Sequence, residues 1–232
     1  MKAGIIFYTD GELSEALAAP ARARIQAAAR LHRLPIVTAA LKRRLAWGEK
    51  NIVFPRLQRG PLAMFTQILG ALENSTADII FFCEHDVLYD PSHFEFTPPE
   101  KGKVYYNLNW WQADTATGRA ATWEAKRVSQ LCGYRDTLIA HYRRRVALVK
   151  ERGYSAAMGY EPGSHSRAER VDDLQSETWR SLVPNVDLRH SGNLSAGKWS
   201  LTDFRTAPTG WQEADSVPGW DLVAELGLKV TA

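Results

Sequence analysis

Residues 77–86 read ADIIFFCEHD, and this segment places ionisable side chains directly after the most apolar run of the chain. The run that ends at Cys83 is typical of a central strand covered on both faces of a parallel sheet. Glu84, His85 and Asp86 follow at once, although unpaired charges are costly to bury. The sequence therefore predicts a buried strand with a polar site at its carboxyl end.

Apolar runs alternate with helical patterns in the first half of the chain, which predicts βαβ units and a mostly parallel central sheet flanked by helices. Pro61 suits the first position of a helix, and an apolar stripe follows it. Strands are expected at residues 4–9, 36–39, 50–54, 77–83 and 104–111, and helices at residues 20–31, 61–74, 138–150 and around 172–179. The predicted class is α/β, with a loop-rich second half.

The composition is that of an ordinary globular protein, with 45% hydrophobic and 24% charged residues in a length that fits one domain, residues 1–232. No apolar run reaches the roughly 18 residues of a spanning helix, and the first residues do not resemble a secretory signal. We therefore expect a cytoplasmic protein without a membrane span. Cys83 and Cys132 are expected as reduced thiols in the core, although one disulfide remains an alternative.

The acidic residues after the strand predict a cation site. Side chains of a strand alternate between its faces, so Glu84 and Asp86 are expected on one side, about 6 to 7 Å apart, with His85 on the other. Ligands of open parallel sheets bind beyond the carboxyl ends of the strands. Carboxylate oxygens favour Mg²⁺ or Mn²⁺, with phosphate oxygens completing the coordination. By this interpretation His85 is the least expected metal ligand of the three.

The motif Glu84-His85-Asp86, together with the order of elements from Gly4 to Asp90, resembles the GT-A fold, the fold of many nucleotide-sugar glycosyltransferases. In that family an Asp-x-Asp motif ends a central strand after a Rossmann-like half, and Glu84 here replaces the first Asp. The resemblance implies a metal-dependent transferase that moves a sugar from a nucleoside-diphosphate sugar, with a UDP-sugar the expected donor. The implied acceptor is a hydroxyl of a glycan or of a hydroxylated base in DNA, and the implied cofactor is Mn²⁺ or Mg²⁺.

The resemblance also assigns roles to residues. Residues 1–97 would bind the nucleotide sugar and residues 98–232 the acceptor. Asp86 would hold the metal that bridges the two phosphates, while Glu84 would act through water or on the ribose. The remaining nucleotide-binding candidates are Tyr8, Thr9, Asp10 and His85.

A third metal ligand often comes from the second half of GT-A enzymes and is commonly a histidine. The best candidate is His190, which follows a short strand-like run and precedes a turn. Arg189 and Lys198 lie near it in the sequence and are candidates for phosphate contacts. A purely structural histidine is the alternative.

An inverting transferase needs a carboxylate base near the attacking hydroxyl. Glu161 is the candidate, because it lies in a turn-rich loop of the kind that often carries function. Three other acidic residues compete for this role: Glu169, Asp172 and Asp173. For each of them a solvated surface acid is the alternative.

Asparagine and tryptophan side chains suit a sugar pocket, since amides bind hydroxyls and indole rings stack on sugars. The candidates for substrate binding are Asn107, Asn109, Trp110, Trp111 and Arg135. A packed core strand is the alternative for the tryptophans, because two adjacent residues of a strand point to opposite faces. For Arg135 the alternative is the start of a helix.

Two other classes of protein remain open. A metal-dependent hydrolase or nuclease would use His85 and Asp86 with Asp90 and His93, although such sets more often lie on helices. A nucleic-acid-binding module is suggested by a pI near 8.9 and by the basic run at residues 143–145. The net charge is only +3, because 26 acidic residues nearly balance 29 basic ones.

Overall fold

The computed structural model describes residues 1–165, 174–193 and 195–226. The strands of this part are β1 Ala3–Thr9, β2 Ile36–Ala40, β3 Lys50–Val53, β4 Ile79–Glu84, β5 Val87–Leu88, β6 Lys103–Asn107, β7 Trp110–Asp114, β8 Ala120–Thr122, β9 Leu131–Tyr134, β10 Gln175–Trp179, β11 Asn185–Arg189 and β12 Gln212–Ala214. The α-helices are α1 Glu15–His32, α2 Pro61–Asn74, α3 Arg135–Arg152 and α4 Leu222–Leu226. None of these helices is long and apolar enough to cross a membrane.

The strands form two sheets, and the larger one has the order β10-β6-β9-β4-β1-β2-β3. β4, β1, β2 and β3 run parallel to one another, and β10 runs parallel to β6. Only β9 is antiparallel to both strands beside it. The prediction of an α/β fold with a mostly parallel central sheet is therefore confirmed.

β4 is buried on both faces, as predicted. On one face Phe82 packs in a cluster with Phe65 of α2 and Tyr142 of α3. On the other face Phe81 packs in a cluster with Ile25 of α1. Both cysteines are buried free thiols. The carboxyl end of β4 is therefore fixed by packing from both sides.

The predicted strand over residues 104–111 is wrong, because the chain leaves the central sheet in its middle. β6 ends at Asn107, and β7 begins at Trp110 in the smaller sheet, whose order is β12-β8-β7-β11-β5. The Asn107 side chain accepts a hydrogen bond of 2.9 Å from the backbone N–H of Asn109, which closes a local turn. Strand-forming residues on both sides hide this break in the sequence.

The helix expected around residues 172–179 is also wrong for the residues of this range that the structure describes. Residues 175–179 form β10, which pairs in parallel with β6, and residues 172–173 lie outside the described residues. Pairing with a strand more than 70 residues earlier overrides the local helical spacing. The other helices are confirmed, although α1 begins before Pro20 and α3 begins at Arg135 rather than at Leu138.

A buried ion pair joins α3 to the loop that follows it. The Arg145 side chain is 1% exposed, and its Nη1 lies 3.0 Å from Oε1 of Glu161. Tyr106 of β6 donates a hydrogen bond of 2.6 Å to Oε2 of the same carboxylate. Both oxygens of Glu161 are therefore satisfied inside the protein.

Replacing Arg145 with methionine is expected to lower the free energy of unfolding by about 3 to 5 kcal/mol, because Glu161 would remain buried without its cation. Urea unfolding at neutral pH measures the change. Arg144→Met on the exposed side of the same helix is the control and is expected to change stability by less than about 0.5 kcal/mol. Equal losses in the two variants would contradict a structural role of the pair.

Candidate functional site

The carboxyl end of β4 gathers three potential metal ligands. β4 ends at Glu84, and the next two residues form a turn before β5 begins. One ligand atom from each of His85, Asp86 and His190 lies within 4.8 Å of the others. The expectation that His85 points away from Asp86 is therefore wrong, because strand alternation does not extend past Glu84.

β11 brings His190 to this turn. β11 pairs antiparallel with β5, and the N–H of Leu188 donates a hydrogen bond of 2.8 Å to the carbonyl of Asp86. His190 follows the end of β11, and its Nε2 lies 3.7 Å from Oδ2 of Asp86. Asn193 donates a hydrogen bond of 2.8 Å to the same oxygen. The structure thus places His190 beside Asp86, as the sequence analysis expected, and its role as a ligand stays a prediction.

The end of the neighbouring strand β1 supports His85. Nδ1 of His85 lies 2.6 Å from the hydroxyl oxygen of Thr9 and 3.9 Å from Oδ1 of Asp10. Parallel pairing of β1 with β4 sets Tyr8 opposite Glu84, so both strands end at the same edge. With one ring nitrogen held by Thr9, the other nitrogen of His85 is oriented for a ligand.

A cavity of about 310 Å³ opens beside this cluster. Its lining consists of residues from four loops at the sheet edge and from the start of α1: Asp10, Glu12, Leu13, Ser14, Leu17, Arg59, His85, His190, Ser191 and Gly192. Arg59 donates hydrogen bonds of 2.6 Å to Oδ2 of Asp10 and to the carbonyl of Gly192. A guanidinium group therefore lies in the same cavity as two of the three potential metal ligands.

The two acidic residues of the motif are in different electrostatic environments. Burial and then the charge of Asp86 raise the pKa of Glu84 to about 8, although Tyr8 donates a hydrogen bond of 2.6 Å to it. For Asp86, burial opposes ionisation, but the neighbouring His190 and His85 rings outweigh it and lower the pKa. Asp86 is thus ionised at neutral pH while Glu84 is largely protonated. Glu84 is also not part of the group of potential ligands whose atoms lie within 4.8 Å of one another.

The histidines and Asp86 fit a divalent transition-metal ion. Nε2 of His190 is buried, faces Asp86 and has no hydrogen-bond partner among the described residues. Its Nδ1 accepts a hydrogen bond of 3.1 Å from the N–H of Gly192. A cation bound at Nε2 requires the ring proton to be on Nδ1. Because Nδ1 could then no longer accept a hydrogen bond, Gly192 would have to shift. A donor set with two imidazoles and one carboxylate suits Mn²⁺ better than Mg²⁺, which prefers oxygen ligands.

Several predicted site residues lie in the interior instead. Trp110 is 0% exposed and donates from its indole nitrogen to Ala125, while Trp111 packs in the core of the smaller sheet. Asn109 donates to the carbonyl of Ser181. These contacts leave the tryptophans no open face for a sugar, so packing in the core is the interpretation that the structure supports.

The other predicted residues are also separate from the cluster. Glu161 is 8% exposed and paired with Arg145, an arrangement that gives no exposed carboxylate for a base. Lys198 donates to the carbonyl of Asp203, and Arg135 begins α3. The competing carboxylates Glu169, Asp172 and Asp173 lie outside the described residues.

Sequence reasoning missed two polar contacts of the cluster. Arg59 is one of them, and its position after β3, at the edge where β1 and β4 also end, is the signal that it faces the site. Asn193 reaches Asp86 across 107 residues of chain through the pairing of β11 with β5. No local pattern in the sequence predicts that contact.

The hydrolase constellation predicted from His93 is not formed. His93 is 0% exposed and packs against a group of aromatic rings: Phe81, Tyr89, Phe94 and Trp179. Its Nδ1 accepts hydrogen bonds of 3.1 and 3.0 Å from the side-chain amides of Asn107 and Asn185. Asp90 accepts a hydrogen bond from the N–H of Ser92 and caps the short helix that carries His93. Both residues therefore stabilise the loop that follows β5.

Comparison with known proteins adds a distant likeness. No family model and no curated protein sequence matches the chain. The structure is similar to the crystal structure of a glycosyltransferase involved in the glycosylation of the major capsid of PBCV-1, with a TM-score of 0.48 and 9% sequence identity. The match covers 78% of this chain and 82% of that one. A likeness this remote carries no argument about activity, which must be judged from the geometry of the site.

Burial lowers the pKa of His93 to about 3, and this predicts a loss of stability in acid. Below pH ~6.5 the unfolded chain takes up a proton on His93 that the folded chain does not bind. Between pH 7 and pH 5 this costs about 2 kcal/mol of the free energy of unfolding. His93→Gln keeps a hydrogen-bond acceptor and is expected to lack that part of the pH dependence.

Urea unfolding at pH 7 and pH 5 measures the difference. His165→Gln, which removes an exposed imidazole, is the matched control. The prediction fails if His93→Gln loses as much stability between pH 7 and pH 5 as the parent chain does. That result would show that His93 is not buried in its neutral form.

Proposed function

We propose that the chain is a metal-dependent glycosyltransferase that transfers a sugar from a nucleoside-diphosphate sugar to a hydroxyl acceptor. The observation that carries the proposal is the set of His85, Asp86 and His190 at the carboxyl end of β4, beside the cavity that Arg59 lines. Ligands of open parallel sheets bind at this edge. The distant likeness to a glycosyltransferase agrees with the proposal but does not carry it.

The residues at the ends of the strands are proposed to have different roles in binding the donor. Asp10 lines the cavity and is proposed to receive the ribose or the nucleobase. Thr9 orients His85, and Tyr8, which is 5% exposed, holds Glu84 rather than contacting the nucleotide. Arg59, at the same cavity, is proposed to contact a phosphate.

The metal site is assigned to His85, Asp86 and His190, with Mn²⁺ as the expected ion. A divalent cation bound there supplies Lewis-acid stabilisation of the negative charge that develops on the leaving diphosphate. Asn193 fixes the Asp86 carboxylate by its hydrogen bond, and Thr9 fixes the ring of His85. Glu161 is not assigned as the catalytic base, because both of its carboxylate oxygens are hydrogen-bonded in the interior.

For the acceptor we propose a glycan rather than hydroxylated DNA. Many basic side chains of the described surface are paired with carboxylates, as in Lys42 with Glu12 and Arg143 with Glu73. Such pairing leaves less free positive charge than binding of a duplex phosphate backbone requires. The same pairing weakens the alternative of a module that only binds nucleic acid.

Asp86→Asn is expected to weaken Mn²⁺-dependent binding of a nucleoside diphosphate by about tenfold or more, because the metal loses its only charged protein ligand. The variant keeps the shape of the side chain and an acceptor for Asn193. Calorimetry with UDP, GDP and CDP, with Mn²⁺ or with EDTA, measures the effect and identifies the nucleotide.

Glu95→Gln is the matched control, because it neutralises an exposed carboxylate elsewhere. His190→Gln is expected to weaken binding as well, but only when Mn²⁺ is present. Unchanged Mn²⁺-dependent affinity in Asp86→Asn would sink the proposed metal site. Hydrolysis of the nucleotide sugar at the same rate with and without an acceptor would favour a hydrolase.

The choice of acceptor predicts weak binding to duplex DNA. When the salt concentration rises from 50 to 200 mM, the affinity for DNA is expected to change little. A protein that contacts 6 to 10 phosphates would instead lose about 10³ to 10⁵ in affinity over the same range. Fluorescence anisotropy with a labelled duplex, plain or hydroxymethylated, measures the slope of log affinity against log salt. A steep slope would argue for DNA as the acceptor.

A further inference from the structure

Two arginine side chains share one carboxylate next to the candidate metal ligands. Oδ2 of Asp187 accepts a hydrogen bond from Nη1 of Arg127, and Oδ1 lies 3.4 Å from Nη1 of Arg189. The side chains of Asp187 and Arg189 are 9% and 10% exposed. Arg127 and Arg189, which Asp187 joins, are called the arginine pair. Within it, one positive charge is not balanced by Asp187.

The arginine pair lies at the same junction of strands as the metal ligands. Asp187 pairs with Val87, the residue after Asp86, and His190 directly follows Arg189. The charges of Asp187 and Arg127 both act on the carboxyl group of Glu84. The arginine pair therefore faces the end of β4 from the side of the smaller sheet.

Aromatic and backbone contacts hold both guanidinium groups in place. The Arg127 guanidinium stacks over the ring of Trp110 at 3.6 Å and lies 4.9 Å from the ring of Trp123. Arg189 donates from Nη2 to the carbonyl of Ser195. Because these groups are already ordered, a ligand that binds them loses little of its affinity to ordering of the side chains.

Both arginines keep hydrogen-bonding capacity that the described residues do not use. Nε of Arg189 is buried and has no acceptor in the part of the chain that the structure describes. The Arg127 side chain is 21% exposed, so part of its fork of donors is open. A buried donor without an acceptor is unfavourable, and an oxyanion that enters this place would satisfy it.

We infer that Arg127 and Arg189 form a binding site for an oxyanion of the substrate, a phosphate or a carboxylate group, beside the candidate cation. The guanidinium fork matches the paired oxygens of both groups. The identity of the substrate rests on the proposed function, whereas binding of the anion does not. A phosphate would belong to the diphosphate of the donor, and a carboxylate to an acidic sugar.

The test is calorimetric titration of the full chain with inorganic phosphate, with glucuronate and with glucose, in buffer that contains EDTA. The parent chain is expected to bind at least one of the two anions and not to bind glucose. Arg189→Gln is expected to weaken binding of the anion by about tenfold. Arg189→Lys keeps the charge without the fork and is expected to fall between the two.

Arg180→Gln, which removes an exposed arginine paired with Glu124, is the control and is expected to bind as the parent chain does. Arg127→Gln is expected to weaken binding to a similar degree as Arg189→Gln. If Arg127→Gln fails to fold, the variants at position 189 decide, because Asp187 then keeps Arg127 as its partner. Circular dichroism and urea unfolding check the fold of each variant.

The outcomes separate this inference from the proposed function. A parent chain that binds neither anion, or an Arg189→Gln variant that binds as well as the parent, overturns the anion site. Anion binding that depends on the arginines, without any Mn²⁺-dependent binding of a nucleoside diphosphate, supports the anion site and counts against the transferase. Tighter binding of phosphate than of glucuronate assigns the site to the diphosphate, and the reverse assigns it to an acidic sugar.

Discussion

The pairing of β11 with β5 is the constraint on which the candidate site depends. Through it the N–H of Leu188 holds the carbonyl of Asp86, and the chain after β11 places His190 beside the Asp86 carboxylate. The same strand supplies Asp187 and Arg189, whereas Arg127 comes from the loop after β8. Without this pairing the turn after β4 would carry one histidine and one carboxylate, too few protein ligands for a firmly bound metal.

Much of the central sheet was predictable, because local patterns and burial agree there. The bounds of α2 match the predicted helix at both ends, and β4 is the buried strand expected from its apolar run. The break after Asn107 and the strand at residues 175–179 were not predictable in this way. Both depend on which distant strand a segment pairs with, and side-chain propensity does not contain that information.

The candidate site was predictable only in part. Asp86 and His190 were expected at one site and lie beside each other, because both follow strands that end there, and their role as metal ligands stays a prediction. His85 was misjudged because the strand ends at Glu84, and a boundary shift of one or two residues changes which way a side chain points. Glu161 looks like a loop acid in the sequence, and only the burial of Arg145 against it shows a structural role.

The different states of Glu84 and Asp86 matter for the proposed chemistry. Glu84 continues the face of β4 that carries Phe82, where α2 and α3 cover it, so burial dominates and its pKa rises to about 8. Asp86 lies in the turn beside His85 and His190, which favour its charged form. One ionised carboxylate leaves a bound divalent cation with residual positive charge. That charge is available to the phosphate oxygens of a diphosphate, which complete the coordination of such ions.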